Sequence, residues 1–273
     1  MALRDILFVL GSDTGNAAIE AGVGLAARHD ARLTGLFVQP PPLWMFAETT
    51  AEMVDAQRSW LQERTEATAA RFRRCVEQAG AGSRAVWQVR AGDPADIAAT
   101  AAHSADLCVA MQPRDASWGE VTPARPDELL FGSGRPVLMI PHAGQFPSLG
   151  NRVLVAWNGS PEVARAVHDA LPLMSPGARV DVLTVARRDG AEERSPGADI
   201  ALHLGRHGFE ASAHRLVSAD VQPIDLILDF AADRGADLLV MGGYGHSRLR
   251  ERILGGVTAG MLATATLPVL MSH

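Results

Sequence analysis

The strongest constraint on the fold of this chain is an internal repeat, because landmarks of the first half return in the second half in the same order. Ala105–Leu107, which precedes one apolar run, matches Ala236–Leu238, which precedes another. Arg135–Met139 matches Leu267–Met271 in the same way. Random similarity between α/β sequences would rarely keep such nearly constant offsets, so the repeat predicts two tandem copies of one domain.

Short apolar runs alternate with longer amphipathic stretches in both copies, which is typical of βαβ units and a parallel sheet. In the first copy we predict strands at Asp5–Leu10, Arg32–Val38, Ala85–Arg90, Ala105–Gln112 and Pro136–Pro141, and helices at Asn16–His29, Glu52–Gln78 and Pro94–His103. In the second we predict strands at Arg152–Trp157, Arg179–Ala186, Glu210–Leu216, Ala236–Gly242 and Pro268–Met271, and helices at Pro161–Leu173, Ile200–His207, Ile224–Arg234 and Val257–Ala265.

The predicted fold class is therefore α/β, with two tandem doubly wound domains of the flavodoxin/Rossmann-like kind, each a five-stranded parallel sheet in flavodoxin-like order. The boundary falls in the Gly-, Pro- and Ser-rich linker Ala143–Gly150, which gives domains at residues 1–143 and 151–273. Ligands of such sheets bind outside the carboxyl ends of the strands. The loops after the first and fourth strands of each copy are thus the places to look for a site.

The net charge, the apolar runs and the cysteines argue against several classes of partner and location. The formal net charge of −6 argues against nucleic acid or an anionic membrane as the main partner. No stretch approaches the roughly 20 apolar residues of a membrane span, and the apolar run Ile6–Leu10 is too short for a signal peptide. Cys75 and Cys108 do not form a disulfide framework or a metal-binding pair, so we expect free thiols in a cytoplasmic protein.

A glycine-rich stretch follows the fourth strand of the second copy. Two residues separate Gly242 from Gly245, and nine separate Gly245 from Gly255. Glycines after a buried strand let the backbone turn and point successive amides outward, and the next helix offers its N-terminal amides to an anion. Thr258 adds a hydroxyl in the first turn of that helix. Three arginines supply counter-charges: Arg248, Arg250 and Arg252.

Two interpretations fit this stretch: a cradle for a polyphosphate, or glycines that only turn the chain beside a solvated arginine face. It is not a P-loop, since all 25 basic residues of the chain are arginine and the P-loop requires a lysine. It is not a dinucleotide fingerprint either, because that motif follows the first strand. Gly22 and Gly24 lie within a predicted helix and indicate close packing instead.

The run from Met241 through Gly242, Gly245 and Gly255–Thr258 to Leu267–Leu270 resembles the C-terminal signature of the universal stress protein family. The resemblance extends to the whole chain as two tandem domains. It implies an α/β fold related to that of the adenine nucleotide α-hydrolases, and the family's ATP-binding members use a G-x2-G-x9-G-(S/T) loop. The residues that would contact a nucleotide by this resemblance are Asn158, Met241, Gly242, Gly245, Gly255, Gly256, Val257 and Thr258.

Two positions depart from the family pattern. Gly256 stands where a serine or threonine is expected, and Asn158 stands where the first strand usually ends in an aspartate that reads the adenine. Asparagine can still hydrogen-bond a base edge as donor and acceptor. The resemblance therefore implies a stress-response module that binds an adenine nucleotide, ATP with Mg²⁺, and acts by binding rather than turnover. The alternative is a nucleotide-independent scaffold that binds protein partners or another small ligand.

The first copy lacks this motif. Gln112–Gly119 holds no glycine pair at the required spacing, and Pro113 removes an amide where the cradle would need one. Gly132–Gly134 is interpreted as a turn before the last strand. We therefore expect a degenerate first domain, in an internal pseudo-dimer formed through the last strands Val137–Ile140 and Val269–Met271, with further pairing into a homodimer possible.

No other sequence pattern indicates a catalytic or metal-binding site. His203 and His207 are four apart on a predicted helix, a spacing that can bind zinc, but no acid stands between them as in H-E-x-x-H. We interpret them as partly exposed helix histidines and predict no metal site. Ser12 and Ser160 follow first strands and are interpreted as helix caps. With no acid/base pair and no nucleophile elbow, the sequence predicts no enzyme.

Overall fold

The computed structural model describes residues 2–41, 50–114, 120–186, 197–217, 220–244 and 256–273. By its internal contacts the chain divides into two compact units, Ala2–Arg135 and Pro136–His273. No helix in these described ranges is long and apolar enough to cross a membrane. Both cysteines are free and buried, and burial raises the pKa of the Cys108 thiol to about 12, so that thiol stays neutral.

The unit Ala2–Arg135 contains a parallel sheet in the order β3-β2-β1-β4, with β1 between β2 and β4. Helices cross over between its strands, and α2 begins where the Thr50 hydroxyl accepts a hydrogen bond from the Met53 amide at 3.3 Å. The elements are β1 Asp5–Leu10, α1 Asn16–His29, β2 Arg32–Gln39, α2 Ala51–Gln78, β3 Ala85–Ala91, α3 Pro94–Ala102, β4 Leu107–Met111 and α4 Pro126–Ser133.

The unit Pro136–His273 contains five parallel strands in the order β8-β7-β6-β9-β10, with β5 antiparallel to β10 at the edge. The elements are β5 Val137–Ile140, β6 Arg152–Ala156, α5 Pro161–Ala170, a 3-10 turn Leu171–Leu173, β7 Arg179–Ala186, α6 Ala198–Arg206, β8 Glu210–Val217, α7 Pro223–Arg234, β9 Leu238–Gly242, α8 Val257–Thr264 and β10 Val269–Ser272.

The predicted α/β class with parallel sheets is confirmed. The strand order shows which type of doubly wound sheet the second unit forms. The second unit has the Rossmann-type order 3-2-1-4-5, without a sixth strand, and not the flavodoxin-like order 2-1-3-4-5. Its first strand, β6, pairs with β7 on one side and β9 on the other because the connection after β8 returns across the sheet. The crevice at which the order reverses therefore lies between the carboxyl ends of β6 and β9.

The predicted pairing of the two last strands is confirmed, since Val269 lies opposite Met139 and Met271 opposite Val137. This pairing places β5 with the second compact unit, which is why the division by contacts falls at Arg135. The domain boundaries at residues 143 and 151 remain predictions.

The interpretation of Gly132–Gly134 as a turn was wrong, because these residues end helix α4. Pro126 opens that helix, and the Glu128 carboxylate accepts a hydrogen bond from the Arg125 amide at 2.8 Å, which stabilises the first turn. Gly134 closes it in the left-handed conformation, with φ 62°. The close packing predicted for Gly22 is confirmed, since a Cβ there would lie 2.7 Å from the Phe8 ring. The same interpretation of Gly24 was wrong, because Gly24 is exposed and a Cβ there would meet nothing within 4 Å.

An aspartate repeated in both units explains one of the sequence landmarks. Asp106, just before β4, accepts hydrogen bonds from the Arg4 and Asp5 amides at 2.7 and 3.0 Å. Asp237, just before β9, accepts them from the amides of Gly150, Asn151 and Arg152 at 2.9–3.1 Å. Each carboxylate thus holds the start of the unit's central strand, a role that requires an acceptor with several lone pairs.

We expect Asp237→Ala to lower the free energy of unfolding by about 2–4 kcal/mol, because several charge-assisted hydrogen bonds to amides are lost together. Chemical unfolding followed by circular dichroism measures the change. Asp233→Ala is the matched control, since Asp233 is exposed on α7, and we expect it to change stability by less than about 0.5 kcal/mol. Equal effects of the two variants would contradict the proposed role of Asp237.

Candidate functional site in the second unit

Two loops of the second unit begin side by side at the carboxyl edge of its sheet. Ala156, the last residue of β6, is in register with Met241 of β9. The loop after β6 therefore starts next to Gly242, and Met241 is buried. Met241 and Asn158, which lie far apart in the sequence, are thus brought to one edge, as expected for parallel strands.

The two described ends of the glycine-rich stretch meet at this edge. The Tyr244 amide donates a hydrogen bond to the Thr258 hydroxyl oxygen at 3.3 Å, across fourteen residues of sequence. Tyr244 has a left-handed backbone, with φ 48°, and Thr258 is 4% exposed. The Gly243 amide also donates to the Ser272 carbonyl at 2.9 Å. The end of β9 is therefore fixed to the first turn of α8.

Gly242 is required by packing. A Cβ at this position would lie 2.7 Å from the Val163 amide nitrogen and 2.9 Å from the Glu162 Cβ, so any side chain would push β9 away from α5. The first turn of α5 consequently lies against the glycine-rich stretch.

The N-terminus of α8 has no side-chain cap among the described residues. Gly256 is its N-cap residue, with φ −65° and ψ 170°, and glycine itself offers no capping side chain. The first amides of a helix have no partner within the helix and carry partial positive charge. Val257 and Thr258 provide the first of these amides, beside the ordered end of β9. The arrangement can hold a negatively charged group such as a phosphate.

Asn158 is exposed, and its Oδ1 accepts a hydrogen bond from the Ser160 amide at 3.0 Å. No residue in the described ranges accepts a hydrogen bond from its side-chain NH2 group, which can therefore donate to a ligand. Ser160 in turn caps α5, accepting from the Val163 amide at 3.3 Å, which confirms its predicted role. The structure therefore shows two neighbouring pairs within this unit: the loop that holds Asn158 starts beside Met241 and Gly242, and Tyr244 contacts Thr258 in the turn that follows Gly256 and Val257.

Other predicted residues lie outside the described ranges. These are Gly245 and Gly255 of the motif and the arginines at 248, 250 and 252.

The equivalent crevice of the first unit is filled by its own chain. The segment Glu120–Arg125 lies over the loop after β1: the Ser12 amide donates to the Val121 carbonyl at 3.0 Å, and the Val121 amide donates to the Ser12 hydroxyl at 2.8 Å. A Cβ on Gly11 would lie 2.5 Å from Pro123. The interpretation of Ser12 as a helix cap was therefore wrong, because its hydroxyl holds this segment instead.

An ion pair strengthens this contact. Arg114 Nε lies 2.8 Å from Asp13, and Arg114 Nη2 lies 2.6 Å from Glu120. The hydrogen bond to Asp13 raises the pKa of Arg114. The cavity that these side chains line has a volume of about 70 Å³ among the described residues, too small for a nucleotide. Nothing in the sequence of the first copy indicated this contact, since its partners are about 100 residues apart.

Comparison with known proteins decides the family. The profile of the universal stress protein family matches residues 2–115 and 150–273. The chain belongs to the universal stress protein family. The two matches also confirm that it is a tandem member, with one copy of the domain in each half.

Short segments of this universal stress protein resemble curated family members. It is 36% identical to one from Synechocystis over 67 residues, 24% of this chain and 22% of that protein. It is 37% identical to one from Methanocaldococcus jannaschii over 49 residues, 18% of this chain and 30% of that protein. A Mycobacterium tuberculosis member is 32% identical over 74 residues, 24% of this chain and 51% of that protein. The chain thus spans between about a fifth and a half of the length of the curated relatives it matches.

Solved structures share the whole fold of this universal stress protein. One from Archaeoglobus fulgidus has a TM-score of 0.74 at 21% identity and covers 98% of this chain and 96% of its own. A protein of unknown function from Pseudomonas aeruginosa has a TM-score of 0.58 at 16% identity, covering 99% and 92%.

Proposed function

We propose that this universal stress protein binds one adenine nucleotide, ATP with Mg²⁺, in the second unit, and that it acts in the stress response by binding rather than by turnover. The observation that carries the proposal is the hydrogen bond between Tyr244 and Thr258. It holds the first turn of α8 against the end of β9, beside the crevice next to β6, the place at which sheets of this order bind ligands. In this site the phosphates lie at the N-terminus of α8 and Asn158 faces the base.

The residues present fit a nucleotide better than a metal ion alone. Across the described ranges, no group of three or more histidine, cysteine or carboxylate side chains is arranged to hold a metal. Mg²⁺ would therefore enter bound to the phosphates, its usual mode with nucleotides. The filled crevice of the first unit supports one nucleotide per chain rather than two. A cytoplasmic location and a homodimer remain expectations of this proposal.

The nucleotide-independent scaffold remains the second candidate function, and two observations favour it. Gly256 offers no hydroxyl to a phosphate, and Asn158 already uses its Oδ1 within its own loop. If this candidate is correct, ATP, ADP and AMP all fail to bind, and the ligand is a protein or another small molecule.

We expect Thr258→Val to weaken Mg-ATP binding about tenfold or more, because it removes the acceptor that holds Tyr244 and a hydroxyl beside the phosphates, worth about 1.5–3 kcal/mol with a charged partner. Isothermal titration calorimetry measures the affinity. Thr264→Val is the matched control on the same helix, since Thr264 is exposed and bonds only the Gly260 carbonyl in the described structure. Equal affinities of the two variants would contradict the proposed site.

A further inference from the structure

A polar cavity opens at the amino edge of the sheet in the second unit, the edge opposite to the proposed nucleotide site. Its volume is about 410 Å³, which is within the usual range of small-molecule sites. Strands β6, β7 and β8 begin at this cavity, and α7 ends beside it. The polar residues that line it are Arg152, Arg179, Asp181, Glu210, Ser212 and Arg234.

Two arginines begin neighbouring strands at this cavity. Arg152 of β6 is in register with Arg179 of β7, so their backbones lie roughly 4.8 Å apart. Guanidinium groups on adjacent strands repel each other unless an anion lies between them. The first unit has opposite charges at the equivalent place, where Asp5 is in register with Arg32. The second unit therefore has a like-charge pair where the first unit has a complementary one.

Arg234 adds a third guanidinium group from the end of α7. Its Cζ lies 5.0 Å from the centre of the Phe230 ring. A Cβ on Gly235 would lie 3.1 Å from Arg152 Nη1, so Arg152 and Arg234 meet at the same end of this helix. Neither arginine forms an ion pair with a carboxylate in the part of the chain that the structure describes. Both can therefore donate hydrogen bonds to an anionic ligand.

The two carboxylates at the cavity do not neutralise three guanidinium groups. Glu210 Oε2 lies 3.4 Å from Arg179 Nε, but both side chains are 71% exposed, so this ion pair is weak. Asp181 Oδ1 lies 2.6 Å from His214 Nε2, and Asp181 is in register with Ser212. The cavity therefore has a net positive charge, with acceptor oxygens on its β7 and β8 side.

We propose that this cavity binds a small phosphorylated molecule that also carries hydroxyl groups. Arg152, Arg179 and Arg234 donate hydrogen bonds to the phosphoryl oxygens, which match the planar fork of donors on a guanidinium group. The bound phosphoryl group also offsets the repulsion between the two arginines in register. Glu210 and Ser212 accept hydrogen bonds from the hydroxyl groups of the ligand. This site is independent of the proposed nucleotide site.

Calorimetric titration of ribose 5-phosphate into the full chain tests the proposal. We expect one saturable site, and we expect Arg152→Gln, Arg179→Gln and Arg234→Gln each to lower its affinity about tenfold or more, because each removes charge-assisted hydrogen bonds. Ribose, which lacks the phosphoryl group, should not bind. Arg32→Gln is the matched control and should leave the affinity unchanged, since Arg32 begins β2 of the first unit at the place equivalent to Arg179.

A thermal melt of each variant separates lost binding from lost folding. We expect Arg152→Gln to leave the melting temperature unchanged or slightly raised, because it removes a like-charge pair. Two results would overturn the proposal: no saturable binding of either ribose 5-phosphate or glycerol 3-phosphate, or binding that all three arginine variants leave unchanged. If Gly256→Asp abolishes such unchanged binding, the phosphoryl group lies at the N-terminus of α8 instead.

Discussion

Gly256→Asp is expected to weaken Mg-ATP binding about 100-fold while leaving the thermal stability unchanged or slightly raised. Gly256 has an N-cap backbone, with φ −65° and ψ 170°, that any residue adopts. An aspartate there accepts hydrogen bonds from the first amides of α8, which stabilises the helix by a few tenths of a kcal/mol relative to glycine. The same carboxylate takes the place of a phosphate and repels the nucleotide, a like-charge contact that costs several kcal/mol. Calorimetric titration and a thermal melt together measure both effects.

Gly256→Ser is the matched control for this prediction. It introduces at the same position the hydroxyl that the family loop carries, without a charge. We expect Mg-ATP affinity to rise about tenfold, because a hydrogen bond to a charged group contributes about 1.5–3 kcal/mol. Similar affinities of the aspartate and serine variants would mean that the N-terminus of α8 does not contact the phosphates.

Gly150→Ala is expected to lower the free energy of unfolding of the second unit by about 4 kcal/mol or more. Gly150 has φ +88°, and a Cβ there would lie 2.0 Å from the Leu173 carbonyl oxygen and 2.9 Å from the Leu173 carbonyl carbon. Both neighbours are backbone atoms that cannot rotate away, so the chain before β6 has to shift. Effects of this size arise when strain and overpacking act together. Urea unfolding followed by intrinsic fluorescence measures the loss.

Gly177→Ala separates the two causes of that loss, the left-handed backbone and the close approach to Leu173. Gly177 has φ +72°, but a Cβ there meets nothing within 4 Å. This variant carries only the cost of a left-handed backbone, about 1–2 kcal/mol. If Gly150→Ala costs no more than Gly177→Ala, the close approach to Leu173 does not constrain the fold.

The sequence predicted those features of the fold that local sequence pattern determines. The repeated Asp106 and Asp237 marked the duplication correctly because each performs the same task, holding the amides at the start of a central strand. The pairing of Val137–Ile140 with β10 also followed from the exposed edges that tandem sheets of this kind would present. Helix α4 was missed, although Pro126 and Gly134 are ordinary signals for its start and end.

Other features of the two crevices could not be predicted from local pattern. The contact of Arg114 with Asp13 depends on the folded sheet, because 101 residues of sequence separate its partners. Thr258 was indicated by its place in the first turn of the helix after the glycines, and Asn158 by resemblance to a family. The structure adds the partner of each: Tyr244 for Thr258 and Ser160 for Asn158.

Chromatography of the nucleotide released by acid from freshly purified protein tests the central claim most directly. We predict about one adenine nucleotide per chain, ATP or ADP, since the proposed site lies in the second unit and the equivalent place in the first unit is occupied by its own segment Glu120–Arg125. The Gly256→Asp variant, purified in parallel, should release almost none. Release of no nucleotide from the unmodified protein, together with no saturable binding of added Mg-ATP, would contradict the claim and favour the nucleotide-independent scaffold.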